Sequence, residues 1–348
     1  MKKRILVAPL NWGLGHATRC IPIIKALVAH GFEPIIASDG VALALLRKEL
    51  PGFTFVELPS YNVTYAKKGK HFKLKMVKDS PKLLKAIKAE KKAVKTIINT
   101  YDITGVISDN RLGVYNKALP CVFITHQLQV LSGSTTWLST KLHEKFIKRF
   151  DQCWVPDTDA PINLSGKLGH NPGLSMNLKY LGPISRFTKL NIPLTIDLLV
   201  LLSGPEPQRT MLETRLLDEV KLFFGNVTFV RGVPEEHQNI RQEGNATIYN
   251  FMTTEKLEKT INQSRIVLCR SGYTTVMDLA ALEKKAFFIP TPGQTEQEYL
   301  AKRLAELKLA PCCQQDDFKI ALLDQVSNYS GLSKFSTAID YEALFSLF

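Results

Sequence analysis

No stretch of about 18 consecutive apolar residues occurs in this sequence, so no segment reads as a membrane-spanning helix. Cysteine is scarce and poorly spaced for ligand work. Cys20, Cys121, Cys153, Cys269, Cys312 and Cys313 form no C-x-x-C pair and have no histidine at ligand spacing, which argues against a zinc centre and a disulfide framework alike. A secretory leader is not expected either. Lys2, Lys3 and Arg4 precede an apolar run only from Ile5 to Leu10, too short for an h-region, and no small-residue cleavage site follows. A cytoplasmic protein is expected, in which triplets such as Asn62-Val63-Thr64 are chance matches.

What is present is the composition of a globular protein, 45% hydrophobic and 22% charged, in a chain of 348 residues that is long for one core and suits two domains. The net charge of +13 is concentrated. Twelve lysines stand between Lys67 and Lys95 against only Asp79 and Glu90, so +10 of it lies there.

Short apolar runs at 5–9, 33–38 and 54–58 alternate with amphipathic stretches at about 19–30 and 41–49, and further strands follow at 103–109, 121–125 and 152–156. This alternation predicts a six- or seven-stranded parallel sheet wound with helices, ending near residue 180. After a Pro- and Gly-containing stretch the pattern restarts. Strands are expected at 197–203, 227–231, 247–249, 266–269 and 286–290, and helices at 210–224, 254–263, 272–282 and 296–307. The fold class is therefore α/β, with two Rossmann-like doubly wound domains facing a cleft and ligands outside the carboxyl ends of the strands. The expected division is 1–182, a hinge at 183–196, a second domain at 197–330, and a C-terminal helix in 331–348 packing back toward the first domain. In the lysine-rich part, 70–78 alternates Lys with Phe72, Leu74 and Met76, while 81–99 reads as a helix with Leu83, Ile87, Val94 and Ile98 on its apolar stripe.

The first glycine loop runs Asn11-Trp12-Gly13-Leu14-Gly15-His16-Ala17-Thr18-Arg19. Asp39 closes the second strand where a ribose-binding acid would belong, yet Thr18 occupies the third glycine position of a dinucleotide fingerprint, which leaves that reading incomplete. Gly13 and Gly15 still allow close backbone approach, and a helix starting near His16 offers N–H groups and a positive dipole end to an anion. The alternative is a tight turn without a ligand. His16 at that helix end suits a general base kept neutral by the dipole, or is a satisfied structural histidine. Asp109 ends a strand and can orient an acceptor hydroxyl or take its proton, and Arg111 can bind an anionic acceptor; the other reading is a self-capped Asp-Asn turn. The D-x-D of Asp157, Thr158 and Asp159 reads as an acidic turn rather than a metal site.

Cys269 to Leu307 spells strand, Ser-Gly turn, helix, strand, Pro-rich loop, helix. Asp278, two turns down the first of these helices, can hold ribose hydroxyls, and Gln297 with Glu298 can hold a second polyol. This stretch resembles the C-terminal donor-binding region of family 28 glycosyltransferases, typified by the enzyme that adds N-acetylglucosamine to the lipid intermediate of peptidoglycan. The resemblance carries donor roles onto Ser271, Gly272, Thr275, Asp278 and Gln297, with Asp278 standing for the family's Glu and Glu298 for its second glutamine. It further implies that Arg186, in "YLGPISR", meets the donor diphosphate. Ser203 and Gly204 then stand in the donor loop, which is prolyl here, and Phe251 and Met252 lie where backbone groups read the uracil edge. On the acceptor side it covers Gly13, Gly15 and His16 together with His126 and Gln127 of "ITHQ". The order holds over about 300 residues, strongly across Cys269–Leu307 and loosely elsewhere.

The implied activity is transfer of a hexosyl group, an N-acetylhexosamine, from a UDP-sugar to a lipid-linked or anionic glycan acceptor, inverting and metal-independent, with no cofactor beyond the co-substrate. His16 or Asp109 would take the acceptor proton. The Lys67–Lys95 segment lacks the aromatics and motifs of nucleic-acid binders and suits an anionic membrane surface, placing the protein in the cytoplasm and peripherally on the inner face. A UDP-sugar epimerase of the same architecture and a non-catalytic sugar-nucleotide module are the competing readings. A dehydrogenase would leave the second glycine-turn half unexplained.

Overall fold

Strand β1 (Arg4–Pro9) is apolar almost throughout and buried from Ile5 onward, as expected of a parallel strand covered on both faces. It lies in a computed structural model that describes residues 2–61, 72–130, 136–171, 173–233, 235, 237–335 and 338–348, with side chains described in these except at 72–83 and 138. The chain divides into two compact units, Met1–Arg186 with Thr337–Phe348, and Phe187–Ser336.

In the first unit β1 is followed by α1 (Gly15–Ala29), β2 (Glu33–Ser38), α2 (Gly40–Glu49), β3 (Thr54–Glu57), α3 (Phe72–Tyr101), β4 (Ile103–Asp109), β5 (Cys121–Ile124), α4 (Thr136–Ile147), β6 (Gln152–Val155) and β7 (Leu178–Tyr180). The strands form a parallel seven-stranded sheet in the order β3-β2-β1-β4-β5-β6-β7. One face packs Ile21, Ile24 and Leu27 of α1 against Ile5, Ile107, Trp154, Phe345 and Phe348; the other packs Val94 and Ile97 of α3 against Leu6, Val106 and Phe123. A Cβ at Gly105 would overlap the Phe348 ring, so the absence of a side chain on β4 admits this aromatic.

The second unit comprises β8 (Ile196–Leu201), α5 (Gln208–Val220), β9 (Val227–Val230), β10 (Ile240–Glu243), β11 (Ala246–Tyr249), α6 (Thr254–Asn262), β12 (Ser264–Cys269), α7 (Tyr273–Ala281), β13 (Lys285–Phe288) and α8 (Thr295–Glu306). Its strand order is β10-β11-β9-β8-β12-β13, parallel except for the β10–β11 hairpin. Thr188 N donates to Glu258 and Leu190 N to Asn262, which ties the later part of the 183–196 stretch to this unit, whereas 183–186 belong to the first. The last helix, α9 (Tyr341–Phe345), belongs to the first unit.

Both sheets agree with the α/β reading. The alternating lysine stretch is a correction: α3 runs unbroken from Phe72, because Lys, Leu and Met are good helix formers and the two-residue alternation specified no buried strand face. Hairpin strand β10, all four residues exposed, had no apolar signal to announce it.

Candidate active site

In the first sheet the chain order reverses between neighbours β1 and β4, with Pro9 level with Asp109, and open α/β sheets bind ligands outside the strand ends at such a switch point. Gly13 turns the chain there with φ +77°, a conformation other residues rarely adopt, and Gly15 opens α1. His16, Arg19 and Cys20 then fall at i, i+3 and i+4, one helix face, aimed at Asp109. His16 Nδ1 lies 2.8 Å from Asp109 Oδ1. Arg19 Nε donates to Asp109 Oδ2 at 2.5 Å while its Nη2 donates to Oδ1, and Cys20 Sγ sits 3.6 Å from Oδ2. Of the ionic trio only His16 keeps appreciable exposure, 12% of its side chain against 1% for Arg19 and 0% for Asp109.

Burial pushes the Asp109 carboxyl up, but the adjoining Arg19 and His16 outweigh it and hold the group well below the usual carboxylate range. His16 is lowered from its ordinary value chiefly by burial, with Asp109 opposing and Arg19 assisting. His126, in the loop after β5, joins this group through Arg19 Nη1, 3.1 Å from its Nδ1, and the Gln127 amide donates to Thr125 Oγ1. His16, Asp109 and His126 are thus brought together. Arg19 was missed in the sequence, although a lone arginine amid the buried residues of α1 is a signal that it has a buried partner.

Arg111 has a different part from the one expected. Its guanidinium is 0% exposed, bonded to Glu90 (2.5 Å), Asp39 (2.7 Å) and the carbonyls of Pro9 and Pro59, and it lies over the Tyr61 ring. Asn11 donates to Asp39 and accepts from Ala42 N, so this network holds the start of the glycine loop rather than an acceptor anion. Asp39, once a candidate ribose acid, is spent in the same network. Asp157 likewise caps its own turn, accepting from the amides of Thr158, Leu164 and Ser165.

In the second sheet the reversal falls between β8 and β12, where Leu201 is level with Cys269. Ser203 and Gly204 follow β8, and Ser271 and Gly272 follow β12, so both loops flank this switch point. Gly272 caps α7, and a Cβ there would meet nothing within 4 Å. Thr275 and Asp278 lie half-buried on α7. Ser271 Oγ donates to the Gln297 carbonyl at 2.7 Å. The Gln297 side chain accepts from Thr291 N and donates to Gln294, and Glu298 accepts from Gly293 N, so both shape the Pro-rich loop before α8. Phe251 and Met252 follow β11, the Phe251 carbonyl accepting from Gln238. Arg186, the last residue of its unit's long segment, stands 3.8 Å from Glu49.

Among the described residues no group of three or more His, Cys, Asp or Glu is disposed to hold a metal, and no helix is long and apolar enough to cross a membrane. All six cysteines are free. Part of the lysine segment, 67–71, lies outside the described residues, as do the side chains to 83; beyond them Lys85, Lys88, Lys91, Lys92 and Lys95 are exposed on α3.

Residues 213–330 match the glycosyltransferase family 28 C-terminal domain. An uncharacterized glycosyltransferase of Methanosarcina mazei is 24% identical over 339 residues, covering 87% of this chain and 83% of that protein. The UDP-N-acetylglucosamine–N-acetylmuramyl-(pentapeptide) pyrophosphoryl-undecaprenol N-acetylglucosamine transferase of Glaesserella parasuis is 24% identical over 335 residues, covering 91% and 87% respectively. The glycosyltransferase SnogD of Streptomyces nogalater shares the fold, with a TM-score of 0.68, 13% identity and full coverage of both chains.

Proposed function

We propose that this glycosyltransferase, whose residues 213–330 match the family 28 C-terminal domain, transfers an N-acetylhexosamine from a UDP-sugar to a lipid-linked or anionic glycan acceptor, inverting the anomeric carbon without a metal ion. One observation carries the reading: the family 28 match spans Phe251, Met252, Ser271, Gly272, Thr275, Asp278, Gln297 and Glu298 together. The Glaesserella parasuis relative, a UDP-N-acetylglucosamine-dependent transferase acting on a pyrophosphoryl-undecaprenol acceptor, supports a uridine donor and a lipid-borne acceptor.

In this reading Asp278 takes the ribose hydroxyls, Gln297 and Glu298 the sugar, and the amides at the start of α7 and the cation Arg186 the diphosphate, which helix N-termini can stabilise without a metal. His16 accepts the proton of the acceptor hydroxyl on Nε2 as that oxygen attacks the anomeric carbon. The bond from this carbon to the diphosphate oxygen breaks, UDP leaves with the electron pair, and Asp109 stabilises the imidazolium formed. The exposed lysines of α3 face an anionic membrane at its cytoplasmic side, where a lipid-linked acceptor would be presented.

Thermal shift against UDP, GDP, TDP and their sugars tests the donor: uridine nucleotides should raise Tm, and stabilisation by another nucleotide alone overturns the assignment. Asp278→Ala should weaken donor binding roughly tenfold. Free UDP released on turnover separates transfer from epimerisation, which keeps the UDP-sugar whole.

A further inference from the structure

Arg19 touches more of the first-unit cluster than any residue given a chemical role there. A guanidinium has five N–H donors and no acceptor. Its Nη1 lies 3.1 Å from His126 Nδ1, so that nitrogen must accept, and the proton of the neutral His126 ring resides on Nε2. Its Nη2 lies 2.8 Å from His16 Nδ1, the same nitrogen that stands 2.8 Å from Asp109 Oδ1. A donor-only group and an acceptor-only group therefore contend for one atom. If His16 Nδ1 accepts from Arg19, its proton moves to Nε2 and the ring cannot act as a base there; if Nδ1 donates to Asp109, Nε2 is left with a lone pair.

We propose that Arg19 is a positioning residue for the transfer: one guanidinium fixes the Asp109 carboxylate against His16 Nδ1 and commits His126 to the tautomer protonated on Nε2. The assignment rests on the reading of His16 as the base. Asp109 is bound on both oxygens by Arg19, which leaves Oδ1 aimed at His16 and able to accept its Nδ1 proton as well. His126 in turn is unsuited as the base, because Arg19 occupies its Nδ1. The Nδ1 of His16, by contrast, also has the Asp109 carboxylate, a charged acceptor, at 2.8 Å and donates to it in preference to accepting from the guanidinium. Two histidines of one cluster thereby receive opposite duties, His16 accepting at Nε2 and His126 donating. The charged and titratable groups acting on His16 are Asp109 from β4, Arg19 from α1 and His126 from the loop after β5, while Cys20 of α1 meets Asp109 rather than His16. A lysine at 19 keeps the charge but lacks the planar fork that reaches both oxygens and two rings at once.

Long-range proton–nitrogen correlation spectra of the imidazoles test this on the intact chain without substrate. In the wild type His126 should carry its proton on Nε2 and His16 on Nδ1. In Arg19→Lys the His126 ring should become a tautomer mixture, with kcat falling roughly tenfold or more and KM for the donor little changed. A wild-type His126 protonated on Nδ1 overturns the proposal, even if the variant does not fold. So does a folded Arg19→Lys with tautomers and kcat unmoved. The base reading fails separately, if His16→Ala transfers sugar at the wild-type rate while the wild-type tautomers stand.

Discussion

His16 Nδ1 lies 2.8 Å from Asp109 Oδ1 across 93 residues of sequence, one from the first turn of α1 and the other from the last position of β4. An imidazole held by a carboxylate on one nitrogen is oriented for proton transfer at the other. His16→Ala should therefore lower transfer by about 100-fold to 10,000-fold while donor affinity, measured by calorimetry, stays near wild type. Unchanged turnover would remove His16 from the chemistry.

Acid should destabilise the fold below ordinary histidine pKa values. His143 on α4 is lowered to about 4, chiefly by burial, and His16 is lowered as well. The unfolded chain binds those protons first, so stability is present above pH 6.5 and is lost as pH falls from there toward 4. His143 alone accounts for on the order of 3 kcal/mol across that window. The fall in Tm on acidification should be visibly shallower in His143→Gln, and an identical pH profile in the variant would refute the assignment.

Breaking the Arg111 network should cost stability before it costs binding. Arg111→Met leaves Glu90 and Asp39 as buried carboxylates without their guanidinium, a loss of about 3–5 kcal/mol in denaturant unfolding. Pairing it with Glu90→Gln should recover part of the loss. A variant as stable as wild type would show that water reaches the site.

The lysine face of α3 predicts salt-sensitive membrane binding. Vesicles with anionic lipid should float the protein at low salt, neutral vesicles should not, and 1 M salt, where the screening length is about 3 Å, should release it. Replacing Lys85, Lys88, Lys92 and Lys95 with Gln should weaken binding by about 1 kcal/mol per lysine near the surface. Equal flotation with neutral lipid contradicts an electrostatic contact.

The sheets were legible because buried parallel strands such as β1 and β4 are written as unbroken apolar runs between glycine turns. The family 28 likeness was legible in Cys269–Leu307, where turn residues and helix lengths recur at fixed spacing. The ionic interior of the first unit was not. Ile87, Glu90, Val94 and Ile97 keep helical spacing, so Glu90 interrupts an apolar stripe, a cue that it meets a buried cation. Which cation depends on β4 ending beside β1 and on Arg111 turning under the glycine loop, and no local pattern encodes that. Arg19 was hidden likewise, since its partner Asp109 enters the cluster only through strand pairing.

The tail of the chain supplies Phe345 and Phe348 to the core around Trp154 and Phe32. The second unit is in effect an insertion within the first. During synthesis the first sheet must wait, with one face short of its aromatic cover, until the whole of Phe187–Ser336 has emerged. Removing 337–348 should leave a molecule whose second unit is finished and whose first unit is prone to self-association.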